Sequence, residues 1–169
     1  MLKKEKLDFN EGLQQYRLAL EYKSYGADLK AIEIFKKVLY NIENIKNTPE
    51  EIHLLAIVED SLATVYMEID NPSAALYYFN RSISSINTLL SFDDQNINLH
   101  KNQAVQLINI AHLYWTLGEH DKSLVYSQKA IEQYESFTKL NVDGENTSFS
   151  IKDEINQLKI EIINSKPIK

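Results

Sequence analysis

The sequence predicts an all-α protein built from helical hairpins, and three observations carry that expectation. Apolar residues recur at three- and four-residue steps along most of the 169 residues, only 4 residues are glycine, and one short pattern returns three times. Tight turns between strands need many residues at positive φ, so a chain this poor in glycine does not suit a sandwich or barrel. Hydrophobic residues make up 44% and charged residues 25%, an ordinary balance for a globular domain. The length suggests a single domain, 1–169, able to bury a continuous core.

Seven helices are expected, taken in chain order. Leu7, Leu13, Tyr16, Leu20 and Tyr22 predict a helix over 5–25, which Gly26 ends in the left-handed conformation. Ile32, Phe35, Val38, Leu39 and Ile42 predict the next, over 28–46. Thr48-Pro49-Glu50-Glu51 reads as a helix start, with Thr48 as N-cap, Pro49 in the first turn and Glu51 completing a capping box, so a helix is expected over 49–69. Asp70-Asn71-Pro72 ends it and opens 72–91. A helix over 97–117 follows, and Gly118-Glu119-His120-Asp121 separates it from one over 120–138. Beyond the polar stretch around Gly144, Ser150 reads as the N-cap of a last helix, 150–164, with Ile151, Ile155, Leu158 and Ile162 on one face.

Composition narrows the function. With 18 basic and 24 acidic residues, the net charge of −6 leaves no basic stripe for phosphate backbones, so nucleic acid is not an expected partner. No apolar run reaches the ~18–20 residues of a membrane span. The start, Met1-Leu-Lys-Lys-Glu-Lys, leads into Leu7-Asp-Phe-Asn-Glu rather than an apolar signal core, so a cytoplasmic location is expected. Without cysteine there is no disulfide, no Cys-based zinc site and no thiol nucleophile. The chain has no glycine-rich phosphate loop, no G-x-S-x-G and no H-E-x-x-H, and His53, His100, His112 and His120 include no i,i+4 pair. No catalytic residue, metal or cofactor is therefore expected, and the chain is not read as an enzyme. Glu50-Glu51 and Asp93-Asp94 are read as helix-start charges, favoured there by about 0.3–1 kcal/mol.

The repeat decides the architecture. Leu18-Ala19-Leu20-Glu21-Tyr22 aligns without gaps with Leu62-Ala63-Thr64-Val65-Tyr66 and with Ile110-Ala111-His112-Leu113-Tyr114. At constant offsets from the central Ala come a turn residue (Gly26, Asp70, Gly118), a small residue (Ala31, Ala75, Ser123), then Phe35, Phe79 and Ser127, then Val38, Ser82 and Ala130. Two antiparallel helices approach closely only where small residues face each other. Ala63 is therefore expected opposite Ala75, with neighbouring Thr64 turned to the open face.

This pattern resembles the tetratricopeptide repeat, whose signature is a large apolar residue, a small one, Tyr, Gly, Ala, an aromatic and Ala at these offsets. The resemblance implies a helical-hairpin superhelix with repeats at 5–46, 49–91 and 97–138 and a capping helix at 150–164. Three features depart from the standard unit. The central alanines stand 44 and 48 residues apart, against ~34. Glu43, Asn87 and Glu135 stand where the family has proline, and Ser123 and Ser127 replace an Ala and an aromatic in the third copy, which is expected to pack loosely or to use Tyr126. Long-period versions occur in kinesin light chains and in bacterial Rap-type regulators, which bind peptides or partner proteins.

The resemblance also implies a binding groove lined by the first helix of each repeat. Carried onto this chain, it consists of Tyr16, Leu20, Lys23 and Ser24; Asp60, Thr64, Met67 and Glu68; and Ile108, His112, Trp115 and Thr116. Members that clamp the C-terminal carboxylate of Hsp70 or Hsp90 need Lys, Asn and Arg where this chain has Tyr16, Leu20, Ser61, Val105 and Asn109, so that partner is not expected. The function expected is a non-catalytic adaptor that binds a protein segment in the groove. The alternative is a sensor for a short signalling peptide or small ligand, like the Rap-type receptors.

Overall fold

The structure, a computed structural model, describes residues 8–42 and 48–140 and the helical positions 153, 156 and 160. Among the described residues, six helices have both ends described: α1 (Phe9–Ser24), α2 (Asp28–Ile42), α3 (Pro49–Glu68), α4 (Pro72–Leu90), α5 (Ile97–Thr116) and α6 (His120–Leu140). No strand occurs among the described residues. Each helix packs on its neighbour in sequence to form three hairpins, α1–α2, α3–α4 and α5–α6. The chain divides into two compact units, Met1–Phe92 and Asp93–Lys169. The expected helix 150–164 lies outside the described residues, except that Asp153, Asn156 and Ile160 are helical and exposed.

In the first unit α2 packs on α3, and α1 also touches α3. Ala19, Ala31, Phe35, Val38, Val58, Leu62, Ala63, Val65, Ala75 and Phe79 are all 0% exposed. Burying a side chain of the size of Phe35 or Phe79 contributes roughly 1.5–3 kcal/mol. The outer side of α1 shows how sequence decides what is covered. Val58, Leu62 and Val65 of α3 are buried, whereas the corresponding Gln14, Leu18 and Glu21 of α1 are exposed. Polar residues at two of those three positions leave α1 a solvated face.

The second unit holds the hairpin in which serines replace the expected Ala and aromatic. Ser123 is fully buried and its Oγ donates to the Ala111 carbonyl 2.8 Å away, so the two helices meet at this pair. Ser127 Oγ donates to the Ser123 carbonyl at 2.9 Å. Tyr126 packs on Ala111 and sets its ring 5.3 Å from that of Tyr114, the same pairing that Tyr78 makes with Tyr66 in the middle hairpin at 5.6 Å. A buried hydroxyl therefore links the helices, as Ser82 does in the first unit by donating to Ala56 O at 2.7 Å.

Helix ends follow local chemistry. Thr48 and Glu51 form the expected capping box, and Asn71 caps α4 by accepting from Ala74 N at 3.2 Å. At α5 the cap is Asn96, which accepts from Leu99 N at 3.2 Å, while Asp93 braces the turn before it. All three hairpin turns use one motif. Ala27 N donates to Tyr22 O (2.9 Å), Asn71 N to Tyr66 O (2.8 Å) and Glu119 N to Tyr114 O (2.9 Å), around Gly26, Asp70 and Gly118 at φ 72°, 55° and 74°.

Asp70 is the one described non-glycine residue at positive φ, a conformation that disfavours a Cβ by roughly 1–2 kcal/mol. Asp70→Gly should therefore stabilise the protein by about 1 kcal/mol. Gly118→Ala, whose added Cβ meets nothing within 4 Å, should destabilise it by about 1 kcal/mol through backbone strain. Urea titrations of the two variants should shift the midpoint in opposite directions.

Candidate functional site: the open face of α1 and α3

Two side-chain contacts set the register of the first helices in the first unit. Tyr16 Oη shares a hydrogen bond with Ser61 Oγ at 3.4 Å, and Lys23 Nζ lies 3.1 Å from Glu68 Oε1. Both pairs are 45 residues apart, so α1 and α3 run parallel, side by side, with a constant offset. Their shared side carries most of the residues expected in the groove.

Tyr16 is half-buried, its ring 5.8 Å from that of Phe35, which leaves its hydroxyl end on the α3 side. Leu20 is 37% exposed. Asp60, Thr64 and Met67 are half-buried, and the Thr64 hydroxyl donates to the Asp60 carbonyl at 3.0 Å. Ser24 instead turns back on its own helix, donating to Glu21 O at 2.8 Å. In the second unit His112 is exposed, and Trp115 is partly buried against Ala111 with its ring 4.5 Å from that of His120. Thr116 Oγ1 donates to Leu113 O at 2.9 Å. Ile108 departs from expectation: at 3% exposure it belongs to the core and offers no contact surface. Its aliphatic side chain gains from burial where Tyr16 and Asp60 of the other hairpins keep polar ends in reach of water.

Behind α3 lies a charged contact that the sequence reading passes over. Glu59, 1% exposed, accepts from Arg81 Nε and from Ser85 Oγ, both at 2.8 Å, so a buried carboxylate ties α3 to α4. Arg81 also donates through Nη1 to the Tyr77 hydroxyl at 3.2 Å. A signal existed in the repeat alignment, because Leu107, the counterpart of Glu59 in the third copy, is apolar and buried. Beside this contact, Lys36 sits 5.5 Å from the Tyr66 ring centroid, and its hydrogen bond to the Tyr66 hydroxyl raises its pKa. Burial pushes the Tyr78 phenol up from its ordinary value.

No group of three or more His, Cys, Asp and Glu that could hold a metal occurs among the described residues. No described helix is long and apolar enough to cross a membrane. What the open face offers is non-covalent contact, from partly covered apolar side chains edged by an ion pair.

The fold and this face define a class first, an all-α protein of repeated helical hairpins. Residues 107–137, most of the third hairpin, match the family model of the tetratricopeptide repeat. The third hairpin is thus similar to a tetratricopeptide repeat, within an all-α chain of helical hairpins. No curated protein sequence matches it. Among solved structures it is similar to one titled "Crystal structure of MamA protein", at 15% identity over 94% of this chain and 97% of that one, with a TM-score of 0.27. A second, "MamA RS-1 ArsTM double mutant", is 13% identical over 92% of this chain and 97% of that one, with a TM-score of 0.23. Overlaps this loose do not define a shared architecture.

The two ion pairs should behave differently when broken. Arg81→Met leaves the buried Glu59 carboxylate without the Arg81 cation, which should cost about 3 kcal/mol. Lys23→Met breaks a pair whose side chains are 25% and 46% exposed, and stability should change by no more than about 0.5 kcal/mol. Thermal melts at one pH and salt concentration compare them directly.

Proposed function

We propose that the chain is a non-catalytic interaction module that holds a segment of a partner protein against the shared side of α1 and α3. The observation that carries this reading is the shared side of α1 and α3. Leu20 is accessible there, Tyr16, Thr64 and Met67 are only partly covered, and the Lys23–Glu68 pair edges the surface. Tetratricopeptide repeats generally bind proteins or peptides, which supports the same reading. In the second unit, taken by itself, His112, Trp115 and Thr116 are a candidate contact surface with Trp115 as its anchor, since Trp is favoured at protein interfaces. The partner is not a C-terminal carboxylate of the Hsp70/Hsp90 kind. Tyr16, Leu20 and Ser61 supply no cation, and Lys23 is already engaged by Glu68, so a buried carboxylate would go uncompensated.

Photocrosslinking in cell extract tests this. A photoreactive residue placed at Leu20 or Thr64 should capture the same partner, and one placed at the exposed Lys37 of α2 should not. Capture from position 37 alone, or from none of the three, would overturn the reading.

A further inference from the structure

We infer that a cluster of tyrosines and cations on α2, α3 and α4 binds an acidic segment of a partner protein, whose carboxylates meet Lys36 and Arg81. The cluster uses none of the residues on the shared side of α1 and α3. It is built around Tyr66, the tyrosine whose carbonyl closes the second hairpin turn. Tyr66 is 8% exposed, and its ring stacks parallel to that of Tyr78 with centroids 5.6 Å apart. Tyr77 meets Tyr78 edge-on at 5.0 Å. Lys36 Nζ, from α2, lies 5.5 Å from the Tyr66 centroid, and the Arg81 guanidinium lies 5.6 Å from that of Tyr77. The two cations thus rest on different rings with Tyr78 between them. Lys36 is exposed, Tyr77 is 55% exposed and the Arg81 side chain 28%, so the row is open to a ligand.

Charge balance distinguishes this row from a structural staple. Lys23, Lys30 and Lys122 each face a carboxylate, those of Glu68, Glu33 and Glu119. Lys36 is held by phenols instead. Its hydrogen bond to the Tyr66 hydroxyl is the largest cause of its raised pKa, and the other groups that raise it are Tyr66 and Tyr78 themselves. A phenol positions an ammonium without cancelling its charge. Arg81 is balanced from the buried side by Glu59, so two cations and one carboxylate leave a net positive charge. Both cations reach Tyr78, where burial raises the phenol pKa and the charges of Lys36 and Arg81 oppose the rise. Residues Pro72–Leu90 of α4 include no Asp or Glu, and Glu33, one turn before Lys36, is engaged by Lys30 at 2.8 Å. In a chain of net charge −6 this is a local reversal of sign, and an acidic segment is what complements it. Because the cations are spread along a row of rings and do not converge on one point, they suit successive carboxylates better than a single phosphoryl group. The phenol hydroxyls can donate to the same carboxylates. Neighbouring Lys37 lies about 100° further round α2 and is not part of the row.

The test uses the full chain and a fluorescent oligo-glutamate peptide, with oligo-glutamine as control, in anisotropy titrations at low salt. The variants are Lys36→Met, which keeps an aliphatic stem on the ring and removes the charge, Lys36→Arg, which keeps the charge, and Lys37→Met. Circular dichroism confirms that all three fold. The parent is expected to bind oligo-glutamate and not oligo-glutamine. Lys36→Met should weaken that binding about fivefold or more, and Lys36→Arg and Lys37→Met should stay within about twofold of the parent. Amide shifts in nitrogen-15 spectra on adding the peptide should centre on Lys36, Tyr77 and Arg81. No binding, an equal loss in Lys37→Met, an unchanged Lys36→Met, or shifts centred on Leu20 and Thr64 would each overturn the inference. Inorganic phosphate is titrated alongside. If it binds with sensitivity to Lys36→Met while oligo-glutamate does not, the site takes a single phosphoryl group, and the acidic segment is overturned.

Discussion

Two helices can bring their backbones together only where neither side chain is larger than a methyl or hydroxymethyl group, and each hairpin here provides such residues at one place. Ala19 and Ala31, Ala63 and Ala75, and Ala111 and Ser123 are all fully buried. In the third hairpin the contact is recorded directly, because the Ser123 hydroxyl reaches the Ala111 carbonyl of the facing helix. The rest of each hairpin is arranged around this approach. Phe35 and Phe79 fill the space beside it, and the Tyr that follows each central Ala supplies the carbonyl that closes the turn. Because the offsets from Ala to turn are constant, the first helix of each repeat presents the same stretch of its surface away from the second. The accessible row of Tyr16, Leu20, Thr64 and Met67 is a consequence of that phase.

The sequence showed what short-range chemistry controls. The capping box at Thr48 and the left-handed Gly26 and Gly118 are set by residues within a few positions of each other, so spacing reveals them. Asp70 was legible only through the repeat, since nothing about Asp-Asn-Pro by itself requires a φ of 55°. The Asp93-Asp94 pair looked like a helix start, but Asn96 stands nearer the first apolar turn and its side chain makes the capping bond.

Long-range contacts were less legible. Arg81 and Ser85 lie 22 and 26 residues from Glu59, with no local spacing to join them, yet the three form a buried link between α3 and α4. For the serines of the third copy, residue type alone does not reveal that Ser123 is satisfied by the facing Ala111 carbonyl and Ser127 by a carbonyl of its own helix. Ile108 was placed in the groove by its offset, and the offset does not say which neighbour covers a position. In the candidate site, periodicity and repeat offsets gave the helix phase. The contacts that hold α1 against α3, Tyr16 with Ser61 and Lys23 with Glu68, emerged only from the fold.

A double-mutant cycle at Ala63 and Ala75 tests the close approach most directly. Ala63→Leu should overpack the crossing and cost about 1–3 kcal/mol. Ala75→Gly opens space opposite it, so the double variant should recover at least about 1 kcal/mol beyond the sum of the single effects. Additivity to within about 0.3–0.5 kcal/mol would show that the two residues do not meet, and would contradict both the hairpin geometry and the helix phase that places Leu20 and Thr64 on the open face.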